Sequence, residues 1–182
     1  LLAGAAAVAA TPSFALAADD AGARLNALFE ASFQRDLARS PTRQSRLGLK
    51  TSQDRWDDVS EAHRAEGAAL AAADLAAVRR FDDAALGPQD RLSKRMFELA
   101  LAERLKAFDW RGNDYLLTQM GGWHRTVATI LLNSHPIDTV ADAEAYVARL
   151  HGVRPLMAQV VVELQRQEAA GVRPPRFVYG LV

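Results

Sequence analysis

An all-α fold, an array of about five or six amphipathic helices, is the class the sequence predicts. Three observations carry it. Apolar residues recur every three or four positions along most of the chain. Ser, Thr and Pro stand where such runs begin, and Gly or Pro where they end. The two-residue alternation of a strand is not sustained anywhere. A length of 182 residues suits one domain, and 49% hydrophobic residues is too many for a disordered chain.

The first helix is expected from about Asp20 to Arg39, with Ala23, Leu25, Leu28, Phe29, Phe33 and Leu37 as its apolar stripe and Ser40-Pro41 as its stop. Residues 41–58 hold Gly48 and several Ser and Thr without a period, and read as a connection with a short turn at Gln53 to Asp57. Ser60 is the N-cap of a second helix through Arg80, whose alanine-rich interior favours helix. Gly87-Pro88 opens a third, since a proline in the first turn lacks only an N–H that has no partner anyway. Leu92, Met96, Leu99, Ala100, Leu101, Leu105 and Phe108 form its expected buried stripe.

Asp109 to Trp123 breaks the period. A fourth helix follows from Trp123 to Asn133 and ends at His135-Pro136. Thr139 and Asp142 have the spacing of a capping box, which starts a helix expected to stop near His151-Gly152, with His151 at its C-terminal end. Pro155 then opens a last helix, with Leu156, Met157, Val160, Val161 and Leu164 inward and Gly171 closing it.

Residues 1–18 stand apart. The run LLAGAAAVAA and the small-x-small ending at Ala15 to Ala17 have the form of a secretory signal lacking its basic start. A buried alanine-rich helix is the other reading, and Pro12 counts against it. Export to the bacterial periplasm, or another extracytoplasmic compartment, is the expectation that follows. No apolar run reaches the ~20 residues of a membrane span, so no stable membrane anchor is expected. The opening at Leu1 and the apolar ending RPPRFVYGLV read as the ends of a piece, with residues 19–182 as the N-terminal helical part of a larger domain.

Charge and composition exclude several functions. Twenty-two Lys+Arg balance 22 Asp+Glu, which argues against an electrostatic nucleic-acid binder. There is no cysteine, so disulfides, thiolate metal sites and cysteine nucleophiles drop out. The four histidines, His63, His124, His135 and His151, show no three- or four-residue spacing and no HExxH, so no metal ligand or catalytic residue is assigned in the chain and no cofactor is expected in it. GxSxG and phosphate-loop spacings are absent too. His63 lies in a polar patch with Glu61, Arg64 and Glu66 and is expected to be exposed; Phe108, Trp110 and Tyr115 read as core or groove aromatics.

The most unusual stretch is TQMGGWHRTVATILLNSHPI, Thr118 to Ile137. Gln119, Gly121, Gly122, Trp123, His124, Arg125 and His135 are its cleft-lining candidates. One reading makes the helix start, with His124 and Arg125, a receiver for a carboxylate. The other makes the glycines a tight entry, Trp123 a packing residue, His124 and His135 donors to nearby backbone, and Arg125 a surface residue.

Taken with its neighbours, that stretch resembles the DUF885 family of bacterial proteins. The features fall on Gln119, Gly121, Gly122 and His124; on His135-Pro136; on Asp142, Ala143, Glu144, Tyr146, Arg149 and Leu150; and on Ala170, Gly171, Pro175, Phe177 and Val178. Leu47 to Lys50, Arg55 to Asp58 and Leu92 to Leu101 also fit, so the likeness runs from about Leu25 to the end. It implies a larger, mainly helical, metallopeptidase-like fold resembling zinc-dependent carboxypeptidases, with an HExxH-type motif in a C-terminal half. On that likeness the chain is the cleft-forming N-terminal part of an exported zinc-dependent hydrolase. Its partners would be the missing C-terminal half and a peptide substrate, with zinc bound in the full-length parent. A non-catalytic helical interaction or structural module of the cell envelope is the alternative.

Overall fold

The computed structural model describes residues 13–181, with side chains from Asp20 onward. They form an all-α arrangement of six helices: α1 (Ser13–Ala38), α2 (Pro41–Arg46), α3 (Glu61–Val78), α4 (Pro88–Asp109), α5 (Trp123–Asn133) and α6 (Val140–Ala169). Short 3-10 turns lie at Asp83–Ala85, Arg111–Asn113 and Arg176–Gly180. Residues 1–12 of the expected signal lie outside the described residues, and α1 starts seven residues before the expected Asp20.

α1, α3 and α4 enclose the apolar core of Ala21, Leu25, Ala71, Leu75, Val78, Leu86 and Leu101. Leu25 and Val78 are fully buried, each contributing roughly 1.5–3 kcal/mol. Phe29 and Phe97 meet with ring centres 4.7 Å apart. Two polar groups fix how the helices pack. Asp74 on α3 accepts from Ser32 Oγ at 2.6 Å and pairs with Arg35, both on α1. Buried Lys94 donates to the Phe81 carbonyl at 2.8 Å.

Three expectations need correction. On α4 the inward residues are Phe97, Leu101 and Leu105, whereas Leu92, Met96 and Leu99 are exposed. α4 carries two neighbouring apolar stripes, and helical spacing alone does not say which one meets α1 and α3. On α1, likewise, Ala23 is exposed and Ala21 is inside.

Second, α2 occupies part of the stretch read as a connection. It has no apolar stripe; its cap comes from Ser40, and the distant Asp57 accepts from Thr42 N at 2.8 Å and Ser40 Oγ at 2.8 Å. A carboxylate supplied from fifteen residues downstream leaves no local pattern.

Third, α6 runs unbroken through Pro155, and His151 is an exposed mid-helix residue rather than an end. A proline inside a helix costs about 3 kcal/mol. The cost is offset because Arg149, Leu156, Val160, Glu163 and Gln167 form one buried face spanning it. Val161, expected inward, is exposed. The Thr139–Asp142 capping box, the Ser60 and Pro88 starts and the α5 bounds are as the sequence predicts. Gly171 has φ +77° and closes α6.

Candidate functional site

The segment between Leu116 and α5 folds back on itself. Thr118 N donates to the Gly121 carbonyl at 2.9 Å, and Thr118 Oγ1 accepts from Gly121 N at 3.0 Å. Arg125, exposed on the first turn of α5, donates to the carbonyls of Gln119 at 3.1 Å and Met120 at 3.2 Å. Gly122 has φ +140°, and a Cβ there would lie 2.7 Å from the Leu116 carbonyl and 3.0 Å from His124 Nδ1. Only glycine fits that corner. His124 Nδ1 is buried with no hydrogen-bond partner among the described residues.

This locked turn presents Trp123 to a cleft of about 600 Å³ between the ends of α1, α3 and α4. Gly67 on α3 lies at its floor, where the Nη2 atoms of Arg104 and Arg39 come within 3.5 and 3.7 Å of the position a Cβ would take. Arg39 pairs with Glu66 at 2.6 Å and donates to the His63 carbonyl at 2.7 Å; Arg104 pairs with Asp36 at 2.5 Å. His63, half-buried rather than exposed, lines the same cleft with Asp57 and Asp58. The N–H of Ser60, 2.8 Å away, holds the Asp58 carboxyl below its ordinary range. Cations, carboxylates and the rings of Phe108 and Trp123 thus share one surface, suited to a polar chain with an aromatic or apolar group.

His135 lies elsewhere. It is buried against α6, where Arg149 is 0% exposed. Arg149 donates to Ser45 Oγ at 2.9 Å, to the carbonyls of Ser52 and Arg55 at 3.1 Å each, and to His135 Nδ1 at 3.3 Å. Trp56 covers the guanidinium with its ring 5.2 Å away and donates Nε1–H to the Arg149 carbonyl at 2.7 Å. Burial pushes the Arg149 pKa down. The function here is to hold α2, residues 47–57, and α6 together.

Of the cleft-lining candidates, Trp123 is the one whose side chain lines the cleft, while Gln119, Gly121, Gly122 and Arg125 build the turn behind it. Arg39 and Arg104 were missed because helices distant in sequence bring them together; Phe108, read as a core or groove aromatic, lines the cleft, and Asp57, in the Arg55 to Asp58 stretch of the resemblance, joins it from a loop. Of the other two read as core or groove aromatics, Tyr115 lines a second cavity while Trp110 is largely exposed.

Among the described residues no three His, Asp or Glu side chains gather as a metal site, so a zinc implied by the resemblance has no ligand set here. No described helix is long and apolar enough to cross a membrane.

These observations define an all-helical protein built around a mixed-charge cleft and a buried arginine. Residues 41–182 match the family described as bacterial protein of unknown function (DUF885), and the chain belongs to it. The match begins at Pro41, so α1 precedes it. No curated protein and no solved structure matches the chain.

Proposed function

We propose that the chain is a non-catalytic helical interaction module of the bacterial cell envelope, and that the outward face of α6 is its docking surface. One observation carries the reading. Val140 (76% exposed) and Val147 (51% exposed) stand two turns apart on a helix whose opposite face is pinned by Arg149. With Ala143, Glu144, Ala148 and His151 they line a shallow, mainly apolar trough along the helix. Small residues flanked by larger ones are the receiving groove of helix-on-helix packing, so the partner is an amphipathic helix laid along α6.

The chain contains no cysteine, so Val147→Cys would place a single thiol in the trough. Its labelling rate is to be compared between this chain and the full open reading frame in its envelope fraction. Labelling slowed at least tenfold in the latter supports docking; equal rates overturn it.

The cleft beside Trp123 supports a second reading, that the chain walls the substrate cleft of an exported zinc-dependent peptidase-like hydrolase whose metal motif lies outside it. The helix covering α6 would then come from the rest of that protein, and the substrate would be a peptide. Elemental analysis for zinc and chelator-sensitive peptide hydrolysis on the full-length protein decide this reading. Neither in the full-length protein would sink it.

A further inference from the structure

A second cavity, of about 310 Å³, lies between residues 115–117, the C-terminal part of α6 and the Arg176–Gly180 turn. Its walls are Leu117, Leu164, Val172 and Val178, with Tyr115 and Tyr179 at the mouth. The apolar lining favours an apolar body. Its size leaves room for more than one ring, since a cavity of about 150 Å³ already accepts benzene.

One buried polar group faces this lining. Gln167 is 4% exposed, and its Nε2 donates to the Asp114 carbonyl. A carbonyl only accepts, so this bond fixes the orientation of the amide and leaves Oε1 on the other side. No donor among the described residues bonds to that Oε1, while Gln167 itself lines the cavity. Water reaches this oxygen from the cavity, so a ligand that displaces the water must replace its hydrogen bond. The mouth adds a Glu168–Arg173 pair at 3.2 Å, but both side chains are exposed and add little.

We propose that this cavity is a binding site for a small aromatic molecule, or aromatic group, carrying one N–H or O–H donor. The ring fills the space between Leu164 and Val178, and the donor hydrogen bonds to Gln167 Oε1. The site is separate from the α6 trough and from the Trp123 cleft, and stands whether or not either has the role proposed for it.

The test titrates the chain with indole and with benzofuran, which has nearly the same shape but an oxygen in place of the N–H. Calorimetry gives the affinities and methyl NMR locates the site. Indole is expected to shift the methyls of Leu117, Leu164 and Val178 and to bind at least tenfold more tightly than benzofuran, because a buried acceptor discriminates against a ligand that leaves it unpaired. Val172→Trp fills the cavity and leaves the Gln167–Asp114 bond in place. It is expected to abolish indole binding while the helical circular dichroism is unchanged. Equal affinity for the two probes overturns the role of Gln167. No binding, shifts at other methyls, or undiminished binding by the Val172→Trp variant overturns the site.

Discussion

Arg149 Nη1 donates to His135 Nδ1 at 3.3 Å, and the other groups that receive the buried guanidinium are neutral too: two carbonyls and the Ser45 hydroxyl. No carboxylate bonds to it among the described residues; Asp54 and Asp57 act on it only from a distance. A charge so placed depends on the full set of oriented dipoles around it, because no single counterion can compensate for the loss of one.

Replacing Arg149 therefore removes several bonds at once. Arg149→Lys keeps the charge but lacks the planar fork that reaches Ser45, Ser52, Arg55 and His135 together. The expected loss is about 2–4 kcal/mol, seen as a lower urea midpoint with an unchanged slope. A variant within 0.5 kcal/mol of the parent, on the order of an ordinary surface change, would mean the hub is not structural.

The same pair fixes a tautomer. His135 Nδ1 must accept from Arg149, so the hydrogen sits on Nε2 and is given to the Asp142 carbonyl at 3.1 Å. Nitrogen-15 shifts of the imidazole at neutral pH are expected to show a protonated Nε2 and a bare Nδ1. The opposite pattern would exclude the Arg149 contact.

Helices with local signals were legible in the sequence. Ser60, Pro88, the Thr139–Asp142 box and Gly171 each act within a few residues of themselves, and each stands where the pattern put it. What was not legible depends on distant partners. α2 needs Asp57, the persistence of α6 past Pro155 needs a buried face from Arg149 to Gln167, and the inward stripe of α4 is chosen by α1 and α3. The site divides the same way. The turn Thr118–Arg125 is local and was singled out, but its neighbours Arg39 and Arg104 come from separate helices and carry no mark in the sequence. Arg149 belonged to the motif residues of the resemblance, yet only the structure shows the four groups that surround it.

Strong acid destabilises the fold through carboxylates that the fold keeps charged. The Lys50 ammonium, 2.7 Å away, holds Asp142 down to about 2, helped by the N–H groups of Asp138 and Thr139. A depressed carboxyl stabilises the fold above its unfolded value, about 3.9 for Asp, and that share is lost as the pH falls toward 2. Lys50 is raised by Asp138 and Asp142, so its share is present below its ordinary value and lost only in strong alkali. Urea midpoints are expected to change little through Asp142 between pH 6 and 8, and to fall between about pH 4 and pH 2. Lys50→Met is expected to reduce that acid slope. An unchanged slope would show that the ion pair is absent in solution.

Two helical glycines give opposite predictions for one substitution. Ordinarily Gly→Ala inside a helix stabilises by about 0.5–1 kcal/mol, since alanine has less backbone freedom to lose. Gly67 on α3 meets that condition, because a Cβ there would touch Arg104 Nη2 at 3.5 Å, an ordinary contact. On α6, a Cβ at Gly152 would lie 2.9 Å from Trp56 Cδ1 and 3.3 Å from its Nε1. The indole has little freedom to retreat, since its Nε1–H is bonded to the Arg149 carbonyl and its ring faces the guanidinium. Gly152→Ala is therefore expected to destabilise by about 1–3 kcal/mol, the usual cost of overpacking. For a chain of this size that lowers Tm by roughly 2–4 °C per kcal/mol, while Gly67→Ala raises it. The two shifts must have opposite signs in thermal denaturation. A gain in Tm for Gly152→Ala would place Trp56 away from α6, and with it the cover over Arg149.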